Sequence, residues 1–223
     1  MNGYIAGASR SLKAPATRSG TAIPRRTPRS LMQIHDFRNL VDQELLWRAL
    51  KHHPLYHDLA SELRSLTIEE KTGPNVGVEM DENRRATLYI HPIIRPCERD
   101  RFILYHELGH LADRIDPGFG YRHQDRMRLT AYQERNFLEL WNVYIDARLN
   151  QHGLFCLPRE GQSAFVIDGR RYVLPKNDVN TYLLEAITNL TQRGMYRPGS
   201  LVTTIWNNPH RQLSFDDLLD PVR

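Results

Sequence analysis

Cysteine is nearly missing from this chain of 223 residues. Its two copies, Cys97 and Cys156, are too few for a disulfide framework or a zinc module built on cysteine. No apolar run approaches the ~18 residues of a membrane span, so no membrane partner is expected. The N-terminus has no apolar core of a secretory signal. These absences fit a soluble protein of a reducing compartment, and the cytoplasm is the expected location. No internal repeat is visible either, which excludes solenoids and propellers. A mean hydropathy of −0.55 and 40% hydrophobic residues leave material for one buried core.

Acidic residues are absent from the first 35 positions, where Arg10, Lys13, Arg18, Arg25, Arg26 and Arg29 cluster among Ser, Thr, Pro and Gly. The net charge of +4 comes from this arm; beyond it 24 bases face 26 acids. Such a segment, without apolar periodicity, reads as a disordered basic tail over 1–35. An organelle-targeting peptide and a weak anchor for a polyanion share that composition.

The body, 36–223, reads as one α+β domain. Leu40, Val41, Leu45, Leu46, Ala49 and Leu50 recur at helical spacing before His53-Pro54, and a second helix is expected over Leu55 to Leu63. The period then changes: Leu66–Glu69, Val76–Met80 and Ala86–Ile90 read as strands, with turns at Gly73-Pro74-Asn75 and Asp81-Glu82-Asn83. Pro96 opens a long helix that ends near Asp116-Pro117-Gly118. Thr130 and Gln133 form a capping box for another, which ends at His152-Gly153. Asp168-Gly169 marks a hairpin between Ala164–Ile167 and 171–174. Helices near Val179–Gln192 and Phe215–Leu219 close the chain.

The chemistry concentrates in Tyr105-His106-Glu107-Leu108-Gly109-His110-Leu111-Ala112-Asp113, an HExxH motif on an expected helix that follows a strand. Residues four apart project from one helix face, so both imidazoles can hold one zinc ion. Glu107 lies close enough to act on the metal's water without being a ligand. Zinc lowers that water's pKa toward ~7, and a carboxylate can take its proton as the oxygen attacks a carbonyl.

On these residues the chain resembles the zincin metallopeptidases. The likeness runs over strand Ala86–Ile90, helix 96–116 and helix 130–152. It implies a zincin-like fold, with a small mixed sheet packed on the HExxH helix and on a second metal-site helix. It also implies zinc as cofactor, a peptide or protein substrate, and hydrolysis of its peptide bonds. By the same likeness His106 and His110 are zinc ligands, Glu107 is the general base, and an edge strand aligns an extended substrate.

Asp146, in Trp141-Asn142-Val143-Tyr144-Ile145-Asp146, is the first choice for third ligand, because a carboxylate on a second helix is similar to the gluzincin arrangement. Glu139 and Asn142 share its helix face. Gluzincins, however, use a glutamate ligand with an aspartate four residues later, and Asn142 stands at that glutamate position. Glu139 is therefore an alternative. Asp116 would fit a metzincin-like pattern, although Asp113 replaces its glycine; His123 would fit an SprT-like one. Asp113 itself lies on the metal face and would orient an imidazole or sit solvated near the helix end. His91, His152 and His210 have no partner at ligand spacing. Tyr121, Tyr132, Tyr144 and His152 are open alternatives for an oxyanion donor. The rival to a peptidase is a non-proteolytic zincin-fold regulatory or binding module that keeps the zinc.

Overall fold

Residues 32–70, 77–94, 96–156, 164–167, 170–173 and 179–223 are described by the structure, a computed structural model. The elements are β1 (Gln33–His35), α1 (Gln43–Lys51), β2 (His52–His53), β3 (Tyr56–His57), α2 (Leu59–Glu62), β4 (Ser65–Glu70), β5 (Gly77–Met80) and β6 (Arg85–Ile90). They continue with α3 (Glu98–Ile115), α4 (His123–Met127), α5 (Ala131–Gln151), β7 (Ala164–Ile167), β8 (Arg170–Val173), α6 (Val179–Gln192), α7 (Pro198–Asn207) and α8 (Phe215–Leu219). A 3₁₀ turn follows at Asp220–Val222. The protein is α+β.

Alternation builds the sheet. Leu66 and Ile68 of β4, Val78 of β5, and Ala86, Leu88 and Ile90 of β6 are buried, and their neighbours are more open. That period of two puts one apolar face toward the helices. The strand order is β1-β4-β6-β5. β1, β4 and β6 run parallel, and β5 pairs antiparallel with β6 through Val78 and Leu88. Among the described strands β5 is one edge of the sheet and β1 the other, and α3 packs against β5 and against α1 and α5.

α5 starts as the sequence predicts, whereas α3 starts at Glu98 with Cys97 as its cap, so that Pro96 lies just outside the helix. The Asp100 carboxylate accepts from the Cys97 N–H at the head of α3. Thr130 and Gln133 close a reciprocal box at the head of α5. α3 stops where the Asp116 carboxylate accepts from the Gly118 N–H, 2.8 Å. α5 is buried almost all round, from Phe137 to Leu149, because α3, α6, α7 and α8 all pack on it. Its polar residues therefore have to find partners inside the protein.

Three expectations change. Gln33–His35 fell within the expected tail, yet it pairs with Ser65–Thr67 as β1, so the body begins before residue 36. Three residues with one aliphatic side chain give no period to read. Met32, also in that tail, is buried in the core; residues 1–31, like the Gly73-Pro74-Asn75 and Asp168-Gly169 turns, lie outside the described residues. The helix expected over 55–63 shrinks to α2, since Tyr56–His57 pairs back on His52–His53. Asp58, at φ +60°, then reverses the chain, and its carboxylate caps Ser61 N–H. α4 and α7 are additions.

Gly109 sets how closely α3 approaches α5. A methyl group there would sit 2.8 Å from Cγ2 of Ile145 and 3.4 Å from Cδ1 of Leu55. Ile145 is β-branched and fully buried, so it cannot swing aside cheaply. Gly109→Ala is expected to lose about 1–2 kcal/mol: overpacking outweighs the better helix propensity of alanine. Urea denaturation checks this, and an unchanged or higher stability would show that the two helices tolerate separation.

Candidate metal centre

α3 carries His106 and His110 one turn apart, facing α5. Their rings meet edge to face at 4.9 Å, and the two Nε2 atoms are 3.2 Å apart. From α5, Asn142 brings its amide oxygen to 3.0 Å from Nε2 of His110. Asp146, one turn further along, puts Oδ1 2.6 Å from Nδ1 of His106. Phe102 closes on the His106 ring and Trp141 on the His110 ring, at 5.7 Å and 4.5 Å between centroids. Glu107 is buried beside them.

Sequence reasoning placed Asp146 among the zinc ligands; the structure puts it on the opposite side of the imidazole. Nδ1 and Nε2 point away from each other across the ring. A carboxylate bonded to Nδ1 therefore orients His106 and does not join an ion held between the two Nε2 atoms. Its other oxygen, Oδ2, accepts from the Tyr182 hydroxyl of α6 at 2.5 Å.

The other candidates are engaged elsewhere. Glu139 points toward α6, where Arg193 and Asn189 hold it at 3.0 and 3.4 Å. Asp116 ends α3 and faces Gln212. His123 is exposed at the start of α4. Asp113 orients no imidazole: it takes two hydrogen bonds from Arg148, at 2.9 and 2.6 Å, and one from Nε1 of Trp141 at 2.7 Å. His91 and His152 are exposed, and His210 meets Gln151. Of the tyrosines, Tyr132 is exposed and Tyr144 accepts from Leu213 N–H. Tyr182 was not foreseen. A buried carboxylate on α5 requires a second donor, but the sequence does not say which helix supplies it.

The electrostatics follow from burial and neighbours. Burial would lower the His106 pKa, but the charge and hydrogen bond of Asp146, aided by Glu107 and Asn142, raise it to about 9. His110 goes well below its ordinary value through burial and the nearby charges of His106 and Arg114. At neutral pH His106 is then protonated on both nitrogens, Nδ1–H donating to Asp146 and Nε2–H facing Nε2 of His110; displacing the Nε2 proton would leave two Nε2 lone pairs facing each other.

Those two lone pairs suit a tetrahedral cation. Zinc–nitrogen bonds of about 2.0–2.1 Å give an edge of about 3.3 Å, against the 3.2 Å observed. Among the described residues no group of three His, Cys, Asp or Glu side chains is arranged to hold a metal. The third donor at hand is the neutral amide oxygen of Asn142. Comparison with known proteins gives no match, whether to a family, a curated protein or a solved structure.

Proposed function

We propose that the protein is a zinc-dependent peptidase of zincin type, with His106, His110 and Asn142 as metal-facing donors and Glu107 as general base. The observation that carries this reading is the facing pair of Nε2 atoms with Nδ1 of His106 held by Asp146. A hydrogen-bonded carboxylate on the far nitrogen is the usual support for a ligand imidazole. Zinc bound there would supply Lewis acidity to the reaction.

The chain supplies the rest. Asp146, itself fixed by Tyr182, keeps His106 in one tautomer and one orientation. Trp141 and Phe102 wall the two imidazoles. Glu107, next in sequence to His106, takes a proton from the attacking water and returns it to the leaving amine. A purely structural site has no use for such a base. The neutral Asn142, in place of a carboxylate, favours the second reading, a binding module that keeps the metal without cleaving.

Metal analysis separates these ideas from a plain hydrogen-bonded cluster. About one zinc per chain is expected, with no binding by His106→Ala or His110→Ala. Asp146→Ala is expected to bind about 10–100-fold more weakly, the usual cost of losing the group that orients a ligand. Asn142→Ala should also weaken binding, whereas Glu139→Ala, Asp116→Ala and His123→Ala should match wild type. Wild-type protein left empty by equimolar zinc would exclude the metal centre.

A further inference from the structure

Arg114 stands out among the arginines around the centre because no carboxylate is bonded to it. Arg126, Arg148 and Arg193 are comparably enclosed, and each holds a carboxylate: Glu134, Asp113 and Glu139. Arg114 makes no hydrogen bond or ion pair with any described residue, and its Nε is sealed from water without a partner. Its guanidinium instead lies against aromatic faces, 5.0 Å from the Tyr121 ring and 5.9 Å from that of Trp141. Leaving a cation unpaired in such a place costs stability, so an arginine with only a structural role would be paired.

Its position connects it to the cleft. Arg114 is seven residues after Glu107 and four after His110, on the same stripe of α3. Long helical side chains lean toward the N-terminus, which carries its head back over the His110 turn. Trp141 touches both the His110 ring and the guanidinium. Across from this stripe runs β5, whose outer edge is unpaired among the described strands. Burial lowers the Arg114 pKa from its ordinary value, against the opposing charges of Glu79 of β5 and of Glu107.

Building on the peptidase reading, we infer that Arg114 recognises a carboxylate on an extended peptide laid along β5. Seven helical residues put the contact about 10 Å along α3 from Glu107, within roughly three extended residues of the bond that it serves, at about 3.3 Å each. A planar guanidinium backed by an aromatic face is suited to such an anion, which it can hold with two parallel N–H bonds. A C-terminal carboxylate and an acidic side chain share this chemistry.

The test reads binding without turnover, by calorimetry on the full chain carrying Glu107→Gln. The probes are an N-acetylated tripeptide with a free C-terminal carboxylate, its amide, and an amidated version ending in aspartate. The free acid should bind about 10-fold or more tightly than the plain amide, as expected for hydrogen bonds to a charged group. Adding Arg114→Gln should bring acid and amide within about twofold of each other, and Arg114→Lys should keep only part of the preference. If the aspartate amide matches the acid, any nearby carboxylate suffices; if it matches the plain amide, the chain terminus is what is read. Equal binding of acid and amide to the Arg114 protein, or a preference that survives Arg114→Gln, would overturn the inference. So would a melting temperature about 5 °C or more lower in Arg114→Gln, the sign of a structural arginine. Loss of peptidase activity elsewhere in the site leaves these binding ratios readable, so the two proposals fail separately.

Discussion

Glu107→Gln is expected to keep its zinc and lose peptide hydrolysis by at least ~10²-fold, the lower end for removing a general base. In the proposed site the two imidazoles and Asn142 hold the metal and Glu107 is not a ligand, so metal affinity should stay near wild type. Glutamine has the shape of glutamate but cannot accept the proton that the attacking water must lose. Because Glu107 is buried, no bulk solvent group replaces it easily. Chelator competition and single-turnover hydrolysis on the same preparation check both halves. Equal hydrolysis by the two proteins would remove Glu107 from the reaction and leave the binding-module reading. A variant that loses its zinc as well would show Glu107 to be a ligand.

The largest effect on stability is expected at Asp113. Its side chain is 3% exposed and accepts from both terminal nitrogens of Arg148 and from Trp141. Burial pushes its carboxyl up from the ordinary value, against the pull of Arg148 and the Trp141 bond. Asp113→Ala leaves a buried guanidinium and a buried indole N–H without an acceptor, which should cost about 3–5 kcal/mol. For a chain of this size that lowers the melting temperature by about 10 °C. Asp113→Leu combined with Arg148→Met removes both charges together and should recover most of the loss, since a hydrophobic replacement of a whole buried pair is often close to neutral. A double-mutant cycle gives the coupling directly. A loss below about 1 kcal/mol for Asp113→Ala would mean that water reaches the pair.

The consequence extends to the centre, because Trp141 stands between Asp113 and the His110 ring. Freed from its acceptor, the indole can shift and loosen one wall of the imidazole pair. Asp113 thus supports the site through Trp141 rather than through a histidine, as its place on the metal face had suggested.

How much could be read before folding depended on the range of each interaction. The i, i+4 histidines, the Thr130–Gln133 box and the Asp116 stop are settled within one or two helical turns, so local spacing was enough to locate them. Strand periods were readable for the same reason, except in β1, where three residues cannot show a period and only pairing with β4 creates the strand. Partners distant in sequence were not readable. That β6 lies between β4 and β5, that Asp146 meets Nδ1 rather than the Nε2 side, and that Tyr182 completes its hydrogen bonds all depend on how α3, α5 and α6 pack. Likewise, arginine at position 114 is an ordinary helix residue in the sequence. Only the tertiary structure shows that Arg126, Arg148 and Arg193 take the nearby carboxylates and leave it without one. The sequence by itself determined which side chains could do metal chemistry, because helical geometry fixes their spacing. The fold decided which atom of each faces which, because that depends on contacts between helices 32 to 40 residues apart along the chain.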